Sequence, residues 1–524
     1  MKFNRKSAEA VATTNYMGGA AFKLTPEMEL YTAAVTSFVD NTYYEKTNDR
    51  LQRIRACIGK VAPEFVAQLA VYAREQMNLR AMPLVLLAEL ARVHNGDDLV
   101  SRTVLRVVQR ADELAELLAY FQAADARQGT KRLNKLPKQL QKGLAAAMNK
   151  FDEYQFAKYD RKGDVSLRDV LFLTHPKAKS EVQQLLFDKI AKDELAVPFT
   201  WETEMSALGQ KTFDNESDRK AALAQAWEDL VLSGKMGYMA MLRNLRNIIL
   251  KGSDAAFEAA LVQLTNSSAV RKSKQLPFRF LSAYEEVTKV GKEPDVSDAV
   301  IEKVLRAESA LATAVEIACE NIPFIPGKTL ILTDNSGSMR GDFGGKSAVS
   351  AMSKRSSADI ANLFSVLFWT RAKDTKIGLF GDRLLMPKLS REKGVFANFK
   401  VADQMGASCG GATERGIFEM MERLIGEKTM VDQIIIFSDC QIGTGCGWFD
   451  NQGNRGPSFD RLFRQYKAMN PGVVTYSIDL RGYGNTLFKD GVVTLAGWSE
   501  KLFDLIAAFG NGVTAVEFIR QIQI

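Results

Sequence analysis

Histidine is nearly absent: the 524 residues include only His94 and His175. That scarcity removes a His-based catalytic triad, a multi-histidine zinc site and an HExxH protease, each of which needs imidazole as base or ligand. Cysteine is sparse as well. Cys57, Cys319, Cys409, Cys440 and Cys446 are odd in number and scattered, which fits reduced thiols better than a disulfide framework. Cys440 and Cys446 lie close enough to share a zinc, but no histidine or further cysteine pair supplies the remaining ligands, so both read as structural or incidental. No apolar run approaches the roughly 20 residues that span a bilayer. The basic, polar start MKFNRKSAEAVATTN lacks the apolar centre of a secretory signal. A cytoplasmic protein with no membrane partner is expected. Charge of one sign is also in short supply: a net +7 is mild for this length and matters only where it is concentrated.

What is present is core-forming material. With 46% hydrophobic and 25% charged residues, the chain can bury a large interior and should hold two or more domains. Its character changes at Pro323-Phe324-Ile325-Pro326-Gly327. Before that point apolar residues recur at helical spacing, as in Phe65, Leu69 and Tyr72, or Leu114, Leu117, Leu118 and Phe121. Pro63 and Pro83 stand where helices would begin, and His94-Asn95-Gly96-Asp97 is a stop and restart that leaves His94 structural. Stacked antiparallel hairpins of the HEAT-like kind are expected over residues 1–325. After Pro326, β-rich runs at 329–333, 376–380, 433–437 and 473–477 alternate with helical segments such as 356–373. That alternation predicts an α/β doubly wound, mostly parallel sheet over 326–524, with ligands at the carboxyl ends of its strands.

The segment LILTDNSGSMRGD, Leu330 to Asp342, lies at that edge, and three readings compete for it. A phosphate loop fails by one residue, because only three residues separate Gly341 from Gly345 before Lys346 and Ser347. A phosphotransferase with two aspartates two positions apart fails because Ser336 occupies the second position. A hard-cation site remains: Asp334, Ser336 and Ser338 offer one carboxylate and two hydroxyls to one point, although Asx and Ser residues also simply make turns. Thr413, in the glycine-rich turn Cys409-Gly410-Gly411-Ala412-Thr413, and Asp439, ending the run Ile434 to Ser438, extend the pattern. Together these five resemble the metal-ion-dependent adhesion site (MIDAS) of von Willebrand factor A domains, DxSxS followed by Thr and then Asp. The resemblance implies that Asp334, Ser336, Ser338, Thr413 and Asp439 hold a divalent cation, Mg²⁺ above all, whose open position takes an acidic group from a ligand. No general base is evident nearby, so binding rather than catalysis is expected. The long glycine-rich loop 441–457 beside the site either closes over a ligand or is a plain connection.

The first domain carries its charge unevenly. From Arg127 to Lys162 there are ten lysines and arginines against three acids, with Phe151, Tyr154, Phe156 and Tyr159 interleaved. Basic groups neutralise phosphates and aromatic rings stack on unpaired bases, which suits RNA; a solvated lysine-rich face with aromatics in the core explains the same composition. A second set, Arg243 and Arg246, sits one turn apart beside the apolar stripe Tyr238, Leu242, Leu245 and Ile249, either holding a phosphate or bridging to a neighbouring carboxylate.

Asn41-Thr42-Tyr43-Tyr44, LRAMPLVLLAEL, KYDRKGDVSLRDVLFLTHPK, YMAMLRNLRNIIL, LPFRFLSAYE and TDNSGSM occur in an order that resembles the TROVE-domain proteins, the Ro autoantigen and its bacterial Ro-related counterparts. In that family a helical-repeat ring is closed by a von Willebrand A domain. The resemblance implies a monomeric, non-enzymatic ribonucleoprotein of RNA quality control. It would bind small noncoding Y RNAs on the outer basic face and single-stranded 3′ ends of misfolded RNA in a central hole, and would share RNA with an exoribonuclease or repair enzyme. Candidate RNA contacts are Lys131, Arg132, Lys135, Lys138, Lys158, Tyr159, Arg161, Lys162, His175, Arg243 and Arg246. Arginine can stand in the family where this chain has Lys162, and lysine keeps the charge but loses the bidentate fork. A rival expectation is a metal-dependent protein-interaction module with the helices as scaffold.

Overall fold

The computed structural model describes residues 11–36, 44–124, 136–160, 163–275, 277–320, 324–341, 347–348, 355–412, 415–443, 458–499, 502, 506 and 514–524. The chain divides into two compact units, Met1–Pro83 with Ile322–Gln523, and Leu84–Asn321 with Ile524.

In the first unit the strands in chain order are β1 (Ala12–Thr14), β2 (Ala20–Lys23), β3 (Ile325–Asp334), β4 (Ala372–Phe380), β5 (Leu384–Leu385), β6 (Gln433–Ser438), β7 (Val474–Asp479), β8 (Asn485–Thr486) and β9 (Val493–Ala496). Six form one sheet in the order β5-β4-β3-β6-β7-β9, with β5 the antiparallel edge strand and the other pairs parallel. The near-continuous apolar runs expected of a two-sided buried sheet are why this happens. Alternate side chains serve opposite faces: Leu330, Leu332, Ile434 and Ile436 join Ile417, Met421, Leu462 and Phe463 of the helices Gly416–Gly426 and Phe459–Met469 in one cluster. On the other face Phe437 stacks on Phe364 at 6.2 Å and meets Phe368 at 5.9 Å, both from the helix Ser357–Arg371. Each such ring, fully buried, contributes about 1.5–3 kcal/mol. Ser356 starts that helix with a reciprocal capping box to Asp359, and the β-strand Ala372–Phe380 follows without a loop.

The described residues 11–36 and 44–83, expected in the helical domain, belong instead to the unit of the sheet. Tyr31, wholly buried on the helix Pro26–Val35, exchanges hydrogen bonds with the backbone of Ala496 at the end of β9. β1 and β2 form a hairpin that β8 extends antiparallel. Asn15 donates to the Ile442 carbonyl at 2.7 Å, and Arg50 and Arg53, both bonded to Glu45, reach the carbonyls of Arg481 and Gly482. Composition hid this, because the helices Pro26–Val35, Thr47–Ile58 and Pro63–Glu75 look like those of the unit they precede. What assigns them is long-range pairing of polar groups, which leaves no periodic trace.

The regular structure of the second unit is all helical among its described residues, with helices such as Leu99–Val107, Lys138–Met148, Tyr238–Lys251, Pro277–Val290 and Asp298–Ala318. Short connections make neighbours pack as pairs. The helix Lys138–Met148 closes on Leu99–Val107 at Gly143, where a β-carbon would lie 2.7 Å from Val104 Cβ. Tyr238, Leu242, Leu245 and Ile249 are buried as their spacing predicts. His94 ends its helix and its Nε2 lies 2.8 Å from Asp97 Oδ1, a local structural contact. No helix among the described residues is long and apolar enough to cross a membrane.

At Gly482 the turn after β7 comes close against the helix Pro26–Val35 and its cap Thr36. The Gly482 φ of +63° is left-handed, and a β-carbon there would fall 2.4 Å from Thr36 Oγ1 and 2.6 Å from the Thr32 carbonyl. A Gly482→Ala variant is expected to lose on the order of 1–3 kcal/mol, read as a lower melting temperature by circular dichroism; an unchanged melt would contradict this packing.

Candidate cation site and nucleic-acid interface

Parallel register sets the first candidate site. β3 ends at Asp334, β6 at Ser438 with Asp439 next, and β7 at Asp479, so three carboxylates meet one edge of the sheet. All three are at most 1% exposed. Asp334 Oδ1 accepts from the Ser336 amide at 3.0 Å and Oδ2 from Ser438 Oγ at 2.7 Å. The Ser336 and Ser338 hydroxyls are 3.2 Å apart and buried. Asp439 Oδ1 accepts from the Gln441 amide at 3.0 Å, while its Oδ2 is buried without a hydrogen-bond partner. Burial, then the neighbouring Asp439 charge, raises the Asp334 pKa; burial also raises that of Asp439.

Two crowded, dry carboxylates with an orphan oxygen and two hydroxyls make a hard-oxygen donor set, which suits a cation such as Mg²⁺. The residues present therefore fit the cation that the sequence motif implies. Among the described residues no group of three or more His, Cys, Asp or Glu is arranged to hold a metal ion; the set here is two carboxylates completed by hydroxyls. Thr413 lies outside the described residues, as do residues 444–457 of the glycine-rich loop. Cys440 is buried and unpaired, which agrees with a structural thiol.

Sequence reasoning missed Asp479 and Arg481. Asp479 Oδ1 accepts from the amides of Arg481 at 2.8 Å and Gly482 at 2.7 Å, and its Oδ2 is also unpartnered. The Arg481 guanidinium, 1% exposed, donates to Ser347 Oγ at 2.6 Å, and Ser347 Oγ donates to the Ser338 carbonyl at 2.5 Å. A buried cation is thus tied through one serine to the DxSxS loop. The rule that picked out Asp334 and Asp439, an acid at the end of a β-rich run, also fits Asp479 after Val474–Ser477.

The second candidate site belongs to the helical unit. Lys138 is exposed at the start of the helix Lys138–Met148, which has no acidic residue in its first turn and no side-chain cap, so its positive end is uncompensated. Gln141 of that helix donates to the Leu173 carbonyl, which ties it to the helix Leu167–Thr174 that His175 ends. His175 is exposed with a left-handed φ of +46°. The Lys158 ammonium lies 5.5 Å from the Tyr154 ring and 5.7 Å from that of Tyr159. Lys138 and His175 are therefore brought together through adjoining helices.

Other expected contacts change character. Phe151 and Phe156 are core residues in an edge-to-face pair, so these aromatics do not face RNA. One face of Tyr159 is covered by Arg110, 4.1 Å from the ring centroid. Arg246 is exposed but bridges Glu293 at 2.7 Å, the carboxylate alternative of the two expected for it. Arg243 is exposed and stands on that separate helix, Tyr238–Lys251, where burial first and the Arg243 charge second depress the Arg279 pKa. Lys131, Arg132, Lys135, Arg161 and Lys162 lie outside the described residues. Sequence reasoning also missed Arg168 and Phe172, exposed at helical spacing before His175, with the guanidinium 5.7 Å from the ring centroid.

A family model described as the TROVE domain matches residues 27–202 and 188–304. The chain is 25% identical over 337 residues to the mouse protein named telomerase protein component 1, covering 50% of this chain and 13% of that protein. The rat protein of the same name is 25% identical over 313 residues, covering 47% and 12%. The chain thus matches only about an eighth of those relatives' length. The crystal structure of the Deinococcus radiodurans Ro (RSR) protein is similar in fold, with a TM-score of 0.58 at 15% identity, covering 93% of this chain and 100% of that one.

Burial lifts the Asp479 pKa from 3.8 to about 6. A raised carboxyl pKa favours folding below pH 3.8 and loses that contribution as pH rises through about 6. In chelator, the melting temperature of Asp479→Asn relative to the parent should therefore climb between pH 4 and pH 7. A difference that stays constant over that range would remove the buried charge as its cause.

Proposed function

Because this chain belongs to the TROVE-domain family, we propose that it is an RNA-binding protein of noncoding-RNA quality control. In this reading it holds a Y-like small RNA on the outer basic face of a helical ring and single-stranded 3′ ends of misfolded RNA in the central hole, cleaving neither. The observation that carries the reading is the exposed pair Lys138 and His175 on two adjoining helices, one of them with an uncapped positive end, together with the half-buried Lys158 set beside the Tyr154 and Tyr159 rings. Phosphates answer the lysines and the helix end; unpaired bases answer the ring faces. An exoribonuclease or RNA-repair enzyme would act on the held RNA.

The sheet edge supports a second component. Asp334, Ser336, Ser338, Thr413 and Asp439 would hold a divalent cation, Mg²⁺ by the hardness of its donors, and the cation would supply an open position for an acidic group of a protein partner. The unpartnered Asp439 Oδ2 favours this component. A metal-dependent protein-interaction module is accordingly the alternative reading of the whole chain.

RNA affinity should fall steeply with salt, and a variant with Lys138, Lys158 and His175 changed to alanine should bind a structured small RNA about tenfold or more weakly, with its melting temperature preserved. Equal affinity across a salt titration by filter binding would sink the RNA reading. Millimolar Mg²⁺ should raise the melting temperature by about 1–2 °C per kcal/mol of binding, and Asp439→Ala should abolish the increase. An increase that survives Asp439→Ala would place the cation elsewhere.

A further inference from the structure

Two helices of the helical unit begin side by side. Tyr238, the first residue of Tyr238–Lys251, meets Phe280 in the first turn of Pro277–Val290, with ring centroids 6.1 Å apart. Neither helix has an acidic residue in its first turn, and Gly237, ahead of the first, provides no side-chain cap. Both ends therefore keep the partial positive charge of their unmade amides, about half a unit each. Gly237 is exposed, and a β-carbon built on it would have no atom within 4 Å, so the space before the first helix is open.

Two arginines stand where a cation is least welcome. Arg279 lies in the first turn of its helix, half-buried, with its guanidinium carbon 5.1 Å from the centroid of the Phe278 ring. Arg243 is exposed in the second turn of the neighbouring helix. Among the described residues neither guanidinium makes a hydrogen bond or an ion pair. The next arginine along, Arg246, has taken the carboxylate of Glu293 at 2.7 Å. Arg243 is near enough to Arg279 that its charge, after burial, holds the Arg279 pKa below the usual arginine value. Like charges of this kind, partly withdrawn from water and unanswered by any acid, are relieved by an anion.

The amount of charge says which anion. Two guanidinium groups and two helix ends sum to about three positive charges, which exceeds the single charge of a phosphodiester and suits the roughly −1.5 to −2 of a phosphomonoester. We propose that Arg243 and Arg279 form a site for a dianionic phosphate, the group that ends an RNA strand, seated before the first turns of Tyr238–Lys251 and Pro277–Val290. The guanidinium forks donate to its oxygens in pairs, and the Phe278 ring holds the Arg279 fork in place. A monoester stands at the end of a strand and not along it, so the site reads a terminus; that source rests on the RNA reading above. Inorganic phosphate carries the same group without a strand, and the two sources are separable.

The full chain, in chloride buffer, is titrated by anisotropy with internally labelled single-stranded RNA decamers of one sequence that end in hydroxyls, in a 5′-phosphate or in a 3′-phosphate, and by calorimetry with inorganic phosphate. The variants are Arg279→Gln, Arg243→Gln and Arg279→Lys, which keeps the charge and loses the fork. One phosphate-ended decamer should bind the parent about tenfold tighter than the hydroxyl-ended one, the worth of one charge-assisted contact. Both glutamine variants should lose that gain, Arg279→Lys should keep part of it, and hydroxyl-ended binding should change little by comparison. Without phosphate, Arg279→Gln should melt no lower than the parent, since it removes an unanswered charge. Inorganic phosphate binding that follows the variants with no preference among the decamers would assign the site to the free anion; if no decamer binds at all, the RNA reading falls while the site stands. A phosphate preference that survives both glutamine variants, or a parent with neither preference nor phosphate binding, would overturn the site and leave the RNA reading to the hydroxyl-ended decamer.

Discussion

Everything in the first unit depends on the register that carries three parallel strands to one carboxyl edge. β3, β6 and β7 each finish on or beside an aspartate, and the sheet is buried on both faces, so Asp334, Asp439 and Asp479 emerge where water is excluded. Dry carboxylates are costly, and the backbone answers them with amides from the turns that follow: Ser336 to Asp334, Gln441 to Asp439, Arg481 and Gly482 to Asp479. Those bonds in turn fix the turns. Arg481 then ties the third turn to the first through Ser347.

The N-terminal segment makes sense from the same edge. Asn15, Tyr16, Arg50 and Arg53 all bond to residues of the turns after β6 and β7. Without them several turn carbonyls would lack donors, and a sheet edge carrying buried charge would face solvent. Residues distant in sequence thus complete the surroundings of the acidic edge, and the contiguous domain read from composition becomes a discontinuous one.

In the helical unit the deciding quantity is which cations lack a carboxylate. Arg246, Arg271, Lys303 and Arg306 each have one, at Glu293, Glu320, Asp254 and Glu258. Lys138 has none among the described residues, and it stands at a helix end that already carries partial positive charge. Paired surface charges leave little field for a polyanion, whereas the unpaired group around Lys138 keeps its own. The aromatic residues divide by burial in the same way, Phe151 and Phe156 to the core and Phe172 to the surface.

By itself the amino-acid sequence determined the two architectures, because strand and helix periods are local and the apolar runs at 329–333 and 433–437 admit few other structures. It also determined the DxSxS turn and the later Asp439, since strand ends mark the ligand edge of any parallel sheet. Asp479 was equally legible, at the end of Val474–Ser477. Tertiary structure alone decided that residues 11–36 and 44–83 join the unit of the sheet, that Tyr159 spends one face on Arg110, that Arg246 is neutralised by Glu293, and that Arg243 stands near Arg279. Each of these is a pairing between groups far apart in the chain, and residue spacing encodes which face a side chain occupies but not which partner it meets there.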